Sequence, residues 1–102
     1  MTSLKPFEKT LKNIRKTGKV AYGFKQSLSS SNQSKLIICS STVTTENITL
    51  LEEKCKQNSI PFITTDQNSI GLSKILGLNY RISVFSIIDA DESDLNLILS
   101  KL

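Results

Sequence analysis

The chain has no histidine and no tryptophan, and it has only two cysteines, two prolines and four glycines in 102 residues. Without an imidazole it lacks the usual general base near neutral pH, and no serine stands beside a recognisable base, so acid–base and triad enzymes have little support. Cys39 and Cys55 form no CxxC pair, and each occupies an otherwise apolar position. They read as buried thiols in a reducing compartment, not as a disulfide or a metal site. Long apolar runs are missing too. None approaches the roughly 20 residues that cross a bilayer, and Lys5 and Glu8, flanking Pro6 and Phe7, leave the N-terminus without a signal-peptide core. The expectation is a soluble protein with no membrane partner. Aromatic residues are only 6% of the chain against 38% hydrophobic overall, so the core must be built from Ile, Leu and Val. The length suits one domain, residues 1–102, that buries a core without metals or disulfides.

Three near-motifs fail on their own chemistry. Gly18 and Gly23, followed by Phe24-Lys25-Gln26, approximate a phosphate-binding P-loop, but the lysine is displaced by one and no Ser or Thr follows it. Asp66-Gln67-Asn68 with Gly71 imitates a calcium loop, yet Ile70 sits at a ligand position and Gly77 where the bidentate Glu belongs. Asp89, Asp91, Glu92 and Asp94 gather where a helix begins, and the helix dipole accounts for them, with Asp91 as the cap. No cofactor, metal or small-molecule substrate is expected.

What the chain has is an uneven charge. Residues 1–35 carry eight Lys or Arg against Glu8 alone, while the remainder is net acidic. That asymmetry favours a polyanionic partner bound by the N-terminal third, with affinity that falls steeply with salt. Phe7, Leu11 and Ile14 recur at helical spacing, and Lys5, Lys9, Lys12 and Lys16 fall on the opposite side. This is a solvated charged face or, with Lys19, a set of phosphate contacts. Gly18 ends the helix.

Val20–Tyr22 then reads as a strand that passes through Gly23 into a short helix from Phe24 to Asn32. A strand-to-helix junction aims unpaired N–H groups, the positive end of a helix dipole and the side chains of Lys25 and Gln26 at one spot. Leu36–Cys39, entered from Lys35, is a strand buried on both faces. A helix spans about Thr45 to Asn58 with Ile48, Leu51 and Cys55 inward, and Ile60–Thr64 is a short strand, its proline suiting an edge. Asn68 caps a helix closed by Gly77. Arg81–Ile88 is the longest β-prone run, and a last helix places Leu95, Ile98, Leu99 and Leu102 on one stripe.

Five helices alternating with four strands predict an α/β sheet covered on both faces. Ligands in such folds gather at strand carboxyl ends, which nominates Gly23–Ser27 and Ser40–Thr42. The loop Leu78–Arg81 joins them only if its strand runs antiparallel.

The residues also carry a family likeness. From Lys16-Thr17-Gly18-Lys19 through Gly23-Phe24-Lys25-Gln26-Ser27, Lys35-Leu36-Ile37-Ile38, Gly77, Tyr80-Arg81-Ile82 and Ser86-Ile87-Ile88-Asp89 to Glu92-Ser93-Asp94, the chain resembles the archaeal and eukaryotic large-subunit ribosomal protein thirty family. That family lies within the kink-turn RNA-binding superfamily. The resemblance implies a three-layer α/β/α sandwich with a four-stranded mixed sheet. It implies a cytoplasmic, ribosomal protein that binds kinked large-subunit rRNA beside neighbouring ribosomal proteins. A non-ribosomal adaptor, serving a guide-RNA particle or a messenger-RNA element, is the alternative.

Carried over, the resemblance puts Gly23, Lys25 and Gln26 against the non-Watson–Crick purine pairs of the bend, with Phe24 and Ser27 in the same RNA-binding element. Tyr80, Arg81 and Ile82 match an aromatic-Arg-aliphatic loop that receives an unstacked base and a phosphate, the features proteins read in RNA. Tyr80 and Ile82 have core packing as their other reading. Thr42 stands where the family usually has an asparagine, and Asn47-Ile48 replaces a basic pair. In the family's Asn-x-x-Glu-Leu-Gly element, Gly71 and Ser73 replace Glu and Gly, leaving Asn68 and Leu72. These departures imply weaker recognition of an isolated RNA.

Overall fold

Pairing of short apolar runs into one sheet organises the computed structural model, which describes residues 7–99. Its elements are α1 (Glu8–Thr17), β1 (Lys19–Tyr22), α2 (Phe24–Ser29), a 3-10 turn (Ser31–Gln33), β2 (Leu36–Cys39), α3 (Thr45–Gln57), β3 (Phe62–Thr64), α4 (Ser69–Leu76), β4 (Val84–Asp89) and α5 (Glu92–Leu99). Lys5 and Leu102, expected on the faces of the first and last helices, lie outside the described residues.

The strand order is β1-β4-β2-β3, with β2 and β3 parallel and β4 antiparallel to both of its neighbours. All four residues of β2 are buried, as a continuous Leu-Ile-Ile-Cys run in an inner strand requires. Register places Tyr22, Phe85, Ile38 and Ile63 in one row across the sheet. That row lies beneath Leu11 and Ile14 of α1, Leu72, Ile75 and Leu76 of α4, and Leu95 and Ile98 of α5. The neighbouring row, Ala21, Ser86, Ile37 and Phe62, faces the other way. There Ile37 and Cys39 pack with Leu51 and Cys55 of α3, joined by Phe24 and Leu28 of α2. The small side chains of Ala21 and Ser86 let α2 lie close on β1 and β4. The result is the expected α/β/α sandwich with a mixed sheet.

Local signals end the helices. The Thr44 hydroxyl accepts from the Asn47 N–H at the start of α3, and Asn68 Oδ1 accepts from the Gly71 N–H at 2.8 Å to start α4. Gly77, with a left-handed φ of 75°, closes α4. Gly18 serves a different need: its backbone is extended, and a Cβ there would overlap the Asp89 carbonyl oxygen of β4.

One strand is shorter than the β-prone run that encodes it. The expected Arg81–Ile88 strand is observed as Val84–Asp89, with Arg81–Ser83 in the preceding loop. The partners run out at that point. β1 turns into α2 at Gly23, and the last residue of β2, Cys39, pairs with Val84. A β-prone segment with no neighbour to complete its ladder leaves the sheet. Similarly, β3 begins only after Pro61, on the edge that proline favours.

Both cysteines are free and buried. Burial pushes the Cys55 thiol up to about 11, with the charges of Glu52 and Cys39 adding to the shift, and burial likewise raises Cys39. At pH 8 a thiol reagent should therefore leave both unmodified in the native protein and label both in denaturant. The raised value also sets a pH dependence. An unfolded thiol ionises near about 8.5, so the Cys55 contribution to stability is complete below that pH and lost on rising to about 11. Alkaline urea titrations of wild type and Cys55→Val check this, since the variant should lose less stability over that interval.

Candidate nucleic-acid interface

Because β4 is antiparallel, the loop that precedes it arrives at the sheet edge where β1 and β2 end. Three segments meet there around a groove of about 520 Å3. Tyr22, Gly23 and Phe24 come from the β1–α2 junction, Thr42–Thr44 and Asn47 from the β2–α3 connection, and Tyr80–Val84 from the loop. Among the described residues that line it, Arg81 is charged and none is a carboxylate.

Gly23 makes the junction possible. Its φ of 95° and ψ of 162° lie in a region that only glycine enters readily. A Cβ there would meet nothing within 4 Å, so the requirement is conformational and not one of space. The Gly23 N–H donates to the Val84 carbonyl at 2.7 Å, which fastens the junction to β4. The first bond of α2 runs from the Ser27 N–H to the Gly23 carbonyl, and no side chain caps the helix. The N–H groups of Phe24, Lys25 and Gln26 thus precede any intrahelical acceptor. Lys25 and Gln26 are exposed on this first turn, beside the groove.

The opposite wall is aromatic. Tyr80 is 52% exposed, and its ring meets Tyr22 edge-on at 6.5 Å between centroids. Its loop is held by Ser73, whose Oγ donates to the Ser69 carbonyl and accepts from the Ile82 N–H at 2.9 Å. A glycine at position 73 has no hydroxyl for this bond. On the third segment, the Thr42 and Ser40 hydroxyls are 2.8 Å apart, which holds Thr42 at the rim.

The expected site residues do not all reach one surface. Gly23, Phe24, Thr42, Tyr80 and Arg81 converge on the groove, with Lys25 and Gln26 alongside. Ile82 is only 6% exposed and packs in the core, so it forms floor and offers no free face. Ser27 is fully buried with its Oγ unpartnered. Asn68 Oδ1 is committed to capping α4, and Asn68 is not among the residues lining the groove. Lys9, Lys12 and Lys16 lie on α1 and line a separate hollow, and Lys19 begins β1, at the strand end away from Tyr22. Tyr22, Val43, Thr44 and Ser83 line the groove although the sequence did not single them out, and Asn47, which replaces a basic residue of the family, lines it as well. The place of Tyr22 at a strand end, one residue before Gly23, was the available signal.

Residues 5–96 match the Ribosomal protein L7Ae/L30e/S12e/Gadd45 family, a span that contains every segment of the groove. The chain belongs to this family. Among its relatives, the Large ribosomal subunit protein eL30 of Aeropyrum pernix is 33% identical over 88 residues, covering 84% of this chain and 88% of that protein. The protein of the same name from Dictyostelium discoideum is 31% identical over 104 residues, covering 93% of each. A solved structure of a protein of unknown function from Bacillus halodurans C superposes with a TM-score of 0.78 at 18% identity, covering 92% of this chain and 93% of the other. That likeness concerns the fold alone. No helix among the described residues is long and apolar enough to cross a membrane.

Proposed function

We propose that this chain is a structural constituent of the large subunit of cytosolic ribosomes, where its groove binds and stabilises a kinked segment of rRNA. Membership in the family and the eL30 relatives support the ribosomal assignment. The observation that carries the RNA reading is the convergence of the Gly23 junction with the Tyr80–Arg81 loop on a groove free of carboxylates. Unpaired N–H groups and the Lys25 and Gln26 side chains suit exposed base edges and phosphates. The half-exposed Tyr80 ring, braced by Tyr22, suits an unstacked base. No reaction is assigned: the protein positions RNA.

Lys25→Ala should weaken binding to a kinked internal-loop RNA by about 1 to 3 kcal/mol and leave thermal unfolding unchanged, because the side chain is exposed. A variant that unfolds instead would make Lys25 structural. Co-sedimentation with large subunits through high salt tests the ribosomal assignment, and release into the soluble fraction would contradict it. With Thr42, Asn47 and Ile48 at positions where the family carries other side chains, affinity for one short kinked RNA in isolation should be weaker than nanomolar at physiological salt. A filter-binding titration decides that point.

A further inference from the structure

Gly71 does nothing for the fold that alanine would not do better. It lies in the first turn of α4 with a helical backbone, outside the positive-φ region that Gly23 and Gly77 occupy, and alanine is the stronger helix former there. Space sets the position apart: a Cβ on residue 71 would stand 2.5 Å from Gln67 Oε1. The capping atom, Asn68 Oδ1, would be 3.4 Å away and could stay in place. The obstacle is the far end of a flexible side chain, which can swing aside at little cost to folding. What glycine preserves is the seat of the Gln67 amide over the start of α4.

That seat lies at the end of the sheet that carries the groove. Because β3 runs parallel to β2, the chain leaves both strands at the same end, and the Gln67 carbonyl accepts from the Ser41 N–H at 2.8 Å. Ser41 is the chain neighbour of Thr42, on the groove's third segment. Gln67 is half-buried, and its Nε2 donates one long bond, 3.5 Å, to Asp66 Oδ1. Its Oε1 accepts no hydrogen bond among the described residues. The backbone is anchored and the side chain is seated, but the hydrogen-bonding capacity of the amide is largely unspent.

We propose that Gln67 reads the edge of an unpaired adenine in RNA bound at the groove, with Gly71 as the positioning residue that keeps the amide in place. This role rests on the RNA-binding reading above and adds a source of base preference to it. A planar amide presents a donor beside an acceptor, the pair that matches N7 and N6 of adenine, and an unpaired base leaves that edge open. Lys25 and Arg81, by contrast, attract phosphate whatever base it carries.

The test titrates a stem with a purine-rich internal loop, together with stems in which each unpaired adenine in turn is guanine. Gln67→Ala should weaken binding of the parent stem at least about fivefold and should accept adenine and guanine alike at one position where wild type prefers adenine. Gly71→Ala should lose the same preference while its melting temperature rises by about 3 to 6 °C. Gln67→Ala/Gly71→Ala should bind no worse than Gln67→Ala, because both changes remove one contact. A Gly71→Ala protein that melts below wild type would overturn the positioning role, and a Gln67→Ala protein that binds every stem as wild type does would overturn the inference. Lys25→Ala/Arg81→Ala separates the two readings. If it weakens all stems alike while Gln67→Ala changes nothing, the groove stands and Gln67 has no part in it; if it too binds as wild type does, the groove reading falls and this one with it.

Discussion

Phe85→Ala is expected to cost about 3 to 5 kcal/mol of folding stability. The ring is fully buried, on an inner strand, in the row where Tyr22 pairs with it on one side and Ile38 on the other. Those neighbours are held by the backbone ladders of β1 and β2, and the layer above is fixed by α1, α4 and α5. The site cannot collapse around the missing ring, so the lost burial and the residual cavity both count. Natural stabilities are typically about 5 to 15 kcal/mol, and a loss of this size brings the variant near its unfolding midpoint under mild conditions. Guanidinium denaturation followed by far-UV circular dichroism measures it. A loss below about 1.5 kcal/mol would mean that the sheet and its covering helices repack more freely than this row allows.

The second large effect is expected from Gly18→Ala. Alanine ordinarily stabilises an exposed chain reversal by reducing the freedom of the unfolded state, and Gly18 has an unremarkable extended backbone that alanine adopts without strain. Space decides otherwise. The added methyl would overlap the Asp89 carbonyl oxygen and lie 3.0 Å from the Ile14 carbonyl oxygen. Both are backbone atoms, so no side chain can swing aside. Relief requires β1 to move away from β4 or α1 to lose its last turn, at about 3 kcal/mol. The register shift between Lys19 and Val20 marks where the ladder would open first. Hydrogen exchange at Val20 and Ala21, together with denaturation, tests this: faster exchange confined to β1 is expected, and a stability equal to wild type would refute the clash.

The two glycines differ in how far sequence could explain them. Gly18 looks like a helix terminator and is one, but its conformation is ordinary and its reason is a strand 71 residues away. Gly23 looks like a junction, and a purely local property, its positive φ, accounts for it. Similar contrasts run through the site. Tyr80 and Arg81 stand exposed as their motif suggested, whereas Ile82, adjacent to them, turns into the core. Ser27 belongs to the same short motif as Lys25 and Gln26 but sits on the face of α2 turned toward the sheet. Adjacent residues in a motif share a sequence context, not a solvent environment.

By itself the amino-acid sequence determined the alternation of helices and strands, the buried character of Leu36–Cys39, the capping by Asn68 and Gly77, and the basic N-terminal third. These follow from periodicity, capping chemistry and composition, all properties of a few neighbouring residues. Only the tertiary structure decided that β4 runs antiparallel, which brings the Tyr80–Arg81 loop beside Gly23. It also decided that Tyr22 braces Tyr80, and that the basic residues of α1 form a surface of their own. Periodicity states which face of an element is apolar, but not which neighbour that face will meet or in which direction the neighbour will run.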